Sequence, residues 1–327
     1  MRHETTDFSL PHAASQTPLL IIGHRGASAL APENTVAAFE KALKDGAAGV
    51  ELDVRLASDG VPVVIHDASL RRTGLREGIV AKMTSGELGQ TDVGSWFNSS
   101  HPQLASAEYS RQAVPTLDQV FDLFGERANR SALIYVEMKT DKAEDTLAEL
   151  AAAVAQLVND PNIRKRVVVV SFNLKALAQI KRIDSGITTG ALFEPRRNPA
   201  KAIRKHPMIT AALDCGADQI LLHRLMASTR LVQLAAENNL RPVVWTVDDV
   251  GWMQRQTSCG IHALISNNPA EINRAHFITI PPLVLVLPLL VLPLLVLPLL
   301  VLPLLVLPLL VLPVVLLASV RLAFARS

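Results

Sequence analysis

The stretch Gly49-Val50-Glu51-Leu52-Asp53-Val54-Arg55-Leu56-Ala57-Ser58-Asp59-Gly60-Val61-Pro62-Val63-Val64-Ile65-His66-Asp67 decides how this chain is read. Two alternating, β-branched runs flank Asp59-Gly60, and an Asp-Gly pair between such runs is the strongest short-range hairpin signal. A two-residue turn there would pair Ser58 with Val61, setting Asp53 opposite His66 and Glu51 opposite Ala68. Side chains repeat every second residue along a strand, so Glu51 and Asp53 share a face. The expectation is two carboxylates and an imidazole converging on one spot. Taken alone, the same residues also read as solvated charges at a strand end.

Outward from the hairpin, strand-like and helix-like segments alternate, the pattern of a parallel sheet with crossover helices. Strands are expected at about 19–23, 48–53, 133–138, 167–171, 188–193, 218–222, 242–247 and 262–265. The return run Val61–Ile65 is left out, because parallel neighbours need a long crossover and Asp59-Gly60 allows none. Eight βα units predict an α/β fold, a (β/α)8 TIM barrel with a small insertion after the hairpin on strand two. A doubly wound sheet is the alternative, but no Gly-x-Gly-x-x-Gly follows the first strand. The insertion, about 68–114, is rich in Gly, Ser, Thr and Arg and holds Trp96-Phe97, expected to pack the insertion's own small core. Ahead of the first helix, in which Val36, Phe39 and Leu43 fall on one face, Asn34 and Thr35 are both candidate N-caps.

Of the 327 residues, Lys and Arg number 32 and Asp and Glu 30, and the segment from Leu283 to Ser327 holds two of the arginines and no acid. The rest is neutral, which argues against a nucleic-acid footprint. Cys215 and Cys259 have no metal-type spacing and suit a reducing compartment, so the location expected is cytoplasmic. Residues 1–18 lack an apolar core and read as a mobile leader, 19–276 as the barrel and 277–327 as an apolar Pro/Leu/Val tail. In that tail Pro288, Pro293, Pro298, Pro303, Pro308 and Pro313 recur at a strict period of five, with no charge from Leu283 to Leu317. Six prolines cost a helix about 18 kcal/mol, while about thirty Leu and Val favour insertion by about 15. Two readings therefore stay open, membrane association through 283–317 and a repeat with no selected structure.

A barrel carries its active site at the carboxyl ends of its strands. Strand one ends in Gly23-His24-Arg25-Gly26, strand two in Glu51-Leu52-Asp53 and strand three in Glu137-Met138-Lys139. The all-oxygen donors Glu51, Asp53 and Glu137 suit Mg²⁺ or Ca²⁺ better than zinc or copper. Arg25 and Lys139 beside a cation suit an anionic phosphoryl centre, and His24 and His66 suit general acid and base. Asp53 is expected to raise the pKa of His66, and Arg25 to lower that of His24. Glu33, Phe172 and Trp245 lie near the same rim and are candidates for substrate contact or support behind it. Together these predict metal-assisted cleavage of a small-molecule phosphodiester.

The runs His24-Arg25-Gly26, Pro32-Glu33-Asn34-Thr35, Glu51-Leu52-Asp53, Asp59-Gly60, Val64-Ile65-His66-Asp67, Arg71-Arg72-Thr73, Val114-Pro115-Thr116-Leu117, Glu137-Met138-Lys139, Ser171-Phe172 and Trp245-Thr246-Val247 make the chain resemble the glycerophosphodiester phosphodiesterases from about Leu19 to Ile272. The resemblance implies a hydrolase of glycerol and lipid metabolism that cleaves glycerophosphodiesters to an alcohol and glycerol 3-phosphate. It implies Glu51, Asp53 and Glu137 as ligands of one divalent cation, His24 and His66 as acid and base, and Arg25 and Lys139 on the phosphate. It also implies a neighbouring glycerol hydroxyl as nucleophile and a cyclic phosphate on the way. Ile261-His262-Ala263-Leu264-Ile265-Ser266-Asn267 departs from the pattern, which usually carries Asp-Gly and a second Asp there. Two rivals remain: a sphingomyelinase D-like phospholipase, which should lack an insertion like 68–114, and a non-catalytic, membrane-anchored phosphodiester-binding barrel, which should have lost a histidine or ligand.

Overall fold

The computed structural model describes residues 19–140, 144–195 and 205–279; the leader and the proline-leucine tail lie outside them. Nine strands form one sheet: β1 Leu20–His24, β2 Gly49–Leu56, β3 Pro62–Val64, β4 Leu133–Met138, β5 Val167–Ser171, β6 Thr188–Phe193, β7 Gln219–His223, β8 Arg241–Trp245 and β9 Ala263–Ser266. Eight are parallel, and β1 pairs with both β2 and β9, which closes the barrel. These are the eight predicted strands. Their Val- and Ile-rich runs are buried on both faces, as parallel strands under helices must be. Ile22, Tyr135, Val170, Leu221, Val243 and Ile265 fill the interior. Val50, Leu52 and Val54 of β2 pack with helix residues such as Phe39 and Phe124, so Glu51 and Asp53 take the other, inner face.

The hairpin differs from expectation by one residue. Val54 pairs with Val64, Arg55 with Val63 and Leu56 with Pro62. The connection is the three residues Ser58-Asp59-Gly60. Ala57 exchanges bonds with Gly60 and Val61, both at 3.0 Å, and Gly60 takes φ +77, where a residue without Cβ is unstrained. This is a turn closed by a left-handed glycine, the three-residue alternative to the two-residue hairpin. The slip flips the parity of β3, so in a continued ladder His66 would face Leu52 and point away from the interior. Instead the ladder ends at Val64, the Ile65 N–H donates to the Asp53 carbonyl at 2.9 Å, and the chain turns over the rim. Asp53 therefore stands opposite Ile65, and Glu51 pairs with His24 of β1 and Tyr135 of β4 rather than with Ala68.

One edge of β2 thus has two successive partners, β1 up to Glu51 and β3 from Val54 onward. The site lies at the gap between them. Helix α1, Val36–Lys44, begins at Thr35, whose hydroxyl accepts from the Ala38 N–H. Its buried face is Ala38, Phe39 and Ala42, with Val36 and Leu43 only half-buried. The insertion builds short helices α2, Ser85–Leu88, and α3, Ser95–Ser100, over a core in which Leu70, Val80, Leu88 and Val93 pack on Val63 and Ile65. Phe97, fully buried, meets Trp96 edge-on at 5.8 Å and stacks on His101 at 4.4 Å, as a small internal core requires. Among the described residues no helix is long and apolar enough to cross a membrane, and Cys215 and Cys259 are both buried.

Candidate active site

A cavity of about 240 Å³ opens at the carboxyl ends of the strands, lined by His24, Arg25, Glu51, His66, Glu137 and Lys139 on one side and by Phe172 and Trp245 on the other. A larger hollow of about 790 Å³ lies at the amino ends of β1 and β4, among Leu20, Lys44, Glu126 and Leu133. It gathers none of the histidines and none of the three buried acids, so the smaller cavity is the candidate site.

After β1 the backbone turns sharply, with Arg25 at φ 53 and Gly26 at φ +80. A Cβ on Gly26 would lie 2.5 Å from the Ala38 backbone, so only glycine lets the turn sit against α1. The turn aims the Arg25 N–H at Glu51 Oε2, 3.0 Å away. Arg25 Nε stands 3.2 Å from Asp53 Oδ2, and Lys139 Nζ bridges Asp53 and Glu137. Asn34, read from sequence as a cap, is instead buried at φ 58 and holds Asp53 at two points. Its Nδ2 donates to Asp53 Oδ2 at 2.7 Å and its Oδ1 accepts the Asp53 N–H at 3.1 Å, filling the gap in the β2 edge.

Glu51, Asp53 and Glu137 are all buried and place ligand atoms within 4.8 Å of one another. Burial, then the charges of Asp53 and Glu137, pushes the Glu51 carboxyl well above its ordinary range. Burial and Asp53 raise Glu137 to about 7. For Asp53 burial acts in the same direction, but Lys139 and Arg25 prevail and hold it low. Its Oδ1 meets Lys139 Nζ at 2.9 Å off the hydrogen-bonding direction, so that oxygen has no hydrogen bond of its own. Crowded buried acids with spare acceptors fit a hard divalent cation, which relieves their repulsion and takes oxygen ligands.

The histidines have unlike partners. His24 Nδ1 lies 2.6 Å from the amide oxygen of Asn267, and burial followed by Arg25 lowers its pKa to about 4. His66 Nδ1 lies 2.7 Å from the Asp67 carboxylate. The expected rise at His66 does not occur. Burial lowers its pKa, and Arg25 and Lys139 oppose the pull of Asp53, which the shifted register no longer places directly across the ladder. Glu33 faces two arginines: Arg25 Nη1 donates to it at 2.8 Å, and Arg72 binds both its oxygens at 2.7 Å. Arg72 Nε also donates to Asp67 at 2.7 Å, so one chain of ion pairs runs from His66 through the insertion to Arg25.

Of the residues singled out from sequence, His24, Arg25, Glu51, His66, Glu137, Lys139, Phe172 and Trp245 line this cavity, while Asp53 and Glu33 lie against Arg25. Phe172 and Trp245 meet edge-on at 5.5 Å as one wall, and Lys139 Nζ lies 5.8 Å from the Phe172 ring centre. No role at the site was expected of Asn34, Asp67, Arg72 or Asn267. Asn34, Asp67 and Arg72 sit in runs that carry the family resemblance, which was the available signal. Asn267 sits in the run that departs from it and had none.

The profile of the Glycerophosphoryl diester phosphodiesterase family matches residues 24–271. A glycerophosphodiester phosphodiesterase of Caldanaerobacter subterraneus subsp. tengcongensis is 30% identical over 253 residues, covering 77% of this chain and 96% of its own. One of Bacillus subtilis is 29% identical over 255 residues, covering 77% and 84%. Among solved structures, a phosphodiesterase of Oleispira antarctica in complex with the product sn-glycerol-3-phosphate matches with a TM-score of 0.65 at 26% identity, over 79% of this chain and 96% of that one.

Proposed function

Because the chain belongs to the glycerophosphoryl diester phosphodiesterase family, we propose that it hydrolyses glycerophosphodiesters to an alcohol and glycerol 3-phosphate in a reaction that needs one divalent cation, Mg²⁺ or Ca²⁺. The observation that carries the reading is the buried Glu51, Asp53 and Glu137 cluster, flanked by Arg25, Lys139 and two histidines at the barrel mouth. Glu51, Asp53 and Glu137 would hold the cation, which when bound supplies Lewis-acid polarisation of phosphoryl oxygen and neutralises charge. Arg25 and Lys139 bind the non-bridging oxygens, where negative charge grows in the transition state.

His24 acts as the base. Burial keeps it neutral, and with Nδ1 engaged by Asn267 its Nε2 is available to take the proton of the attacking glycerol hydroxyl. His66 acts as the acid: burial lowers its pKa, but Asp67 behind it offsets part of that, and an arriving phosphodiester anion favours the protonated ring. As the new P–O bond forms, the bond to the alcohol breaks and the alcohol leaves with the His66 proton. His24 is then protonated and His66 is not, so water opens the cyclic phosphate with the roles reversed. Phe172 and Trp245 limit the pocket on the side away from the acids. The packed insertion and the full set of ligands and histidines favour this reading over a sphingomyelinase D-like phospholipase or a non-catalytic barrel.

The test is metal-depleted protein assayed against a panel of glycerophosphodiesters, with each cation restored in turn. Glycerol 3-phosphate should appear only with a cation present. Turnover that survives exhaustive chelation would sink the metal dependence, and no turnover with any cation would sink the activity.

A further inference from the structure

The side chain of Asn267 is satisfied at both ends. Its Oδ1 faces His24 Nδ1 at 2.6 Å and accepts from Ser28 Oγ at 2.9 Å. Its Nδ2 donates to Asp248 Oδ2 at 2.7 Å, while Asp248 Oδ1 accepts the Asn267 N–H at 2.8 Å and Ser266 Oγ at 2.9 Å. A carboxylate only accepts, so the atom of Asn267 that faces Asp248 is the amide nitrogen, and the atom that faces His24 is the oxygen. An oxygen at that distance requires a proton on Nδ1. The ring then presents Nε2 to the cavity, where Glu51 Oε2 is 3.9 Å away.

We infer that Asp248 and Asn267 are a positioning pair that fixes the tautomer and plane of His24, and so decides which ring nitrogen meets the substrate hydroxyl. This deepens the proposed function and rests on its assignment of His24 as proton acceptor. The two histidines are oriented by different means. At His66 a carboxylate touches the ring directly; at His24 the carboxylate is set back behind an amide, which orients the ring without placing a formal charge against it. Asn267 lies in the run, Ile261 to Asn267, where the chain departs from the family pattern.

Full-length variants with the activating cation bound test this through the ring ¹⁵N shifts of His24, assigned by their loss in His24→Ala, and through kcat and KM measured separately. Asn267→Leu should erase the Nδ1–H preference and lower kcat about 10–100-fold, the scale of losing a group that orients an active-site residue, with KM changed by less than about 3-fold. Asn267→Asp should also lose turnover, because two carboxylates then meet where amide and carboxylate met. The exchange Asp248→Asn with Asn267→Asp restores donor facing acceptor, keeps an acceptor on Nδ1 and should recover most of the loss. Ring shifts unchanged in Asn267→Leu, whatever its kcat, would overturn the pair. So would an exchange variant no better than Asn267→Asp, and this comparison stands even where Asn267→Leu does not fold. Full turnover in His24→Ala would instead overturn the proton-acceptor role, while the shifts still report on the tautomer.

Discussion

Removing the Asn34 side chain should cost both stability and activity, and the two costs can be separated by the choice of replacement. Asn34 is buried at 3% exposure, and its two bonds to Asp53 measure 2.7 and 3.1 Å. The bond to a carboxylate is worth about 1.5–3 kcal/mol and the neutral one about 0.5–1.5. Without Oδ1, the Asp53 N–H is stranded at the gap between β1 and β3, where neither strand reaches it. Asn34→Gly, which tolerates φ 58, should therefore destabilise by roughly 3 kcal/mol. Asn34→Ala should cost about 1–2 kcal/mol more, the penalty of a Cβ in the left-handed region. Urea denaturation at unchanged slope reads the stability, and kcat at saturating cation reads the site. With Asp53 left to Arg25 and Lys139 and no longer aimed by Asn34, kcat should fall about 10–100-fold in both variants. Asn34→Gly within about 0.5 kcal/mol of wild type would refute the two-bond account, because that lies below even one neutral bond. Glycine and alanine variants of equal stability would refute the backbone part.

Other outcomes follow from the same geometry. Glu51→Gln, Asp53→Asn and Glu137→Gln should each weaken cation affinity and activity by at least the roughly 10–100-fold that loss of an outer partner costs. Excess Mg²⁺ or Ca²⁺ should partly restore turnover, and a cation titration followed by activity checks it. His66→Ala should lose much less activity on a nitrophenyl-type diester than on a natural glycerophosphodiester, whereas His24→Ala should lose comparably on both; the reverse ranking would exchange the roles. Glu33 is held below the ordinary carboxylate range, against burial, by Arg72 and Arg25. Its contribution to stability should be full above the unfolded carboxylate range, about 4.3, and fade as pH falls through the lower folded value, so urea melts of wild type and Glu33→Gln should differ at pH 7 and converge in acid. Deleting 280–327 should leave turnover of soluble glycerophosphodiesters largely intact, since the last described helix, Pro269–Thr279, ends before it; an insoluble or inactive truncation would show that the tail belongs to the fold.

Local features of the sequence carried much of the architecture. The strands are short β-branched runs between polar turns, and their place and number depend on neighbours a few residues away. The inward face of Glu51 and Asp53 follows from the period of two, once Leu52 and Val54 need apolar cover. Strand ends put His24, Arg25, Glu137 and Lys139 on one rim because a parallel barrel sends all its carboxyl ends the same way.

What the tertiary structure alone decided is pairing. Two- and three-residue hairpins share the Asp59-Gly60 signal and both accept a left-handed glycine; only the backbone shows that Asp59 does not join Gly60 at positive φ, as a two-residue type I′ turn requires, so the register moves by one. That single step, with the ladder ending at Val64, determines how His66 reaches the site. Its pKa falls because burial and the charges of Arg25 and Lys139 outweigh the opposing pull of Asp53, a sum over groups that three other strands or their ends bring together in space. Arg72 and Glu33 are 39 positions apart, and His24 and Asn267 are 243 apart. No periodicity links such residues; they meet because the barrel closes β9 against β1 and folds the insertion back over the rim.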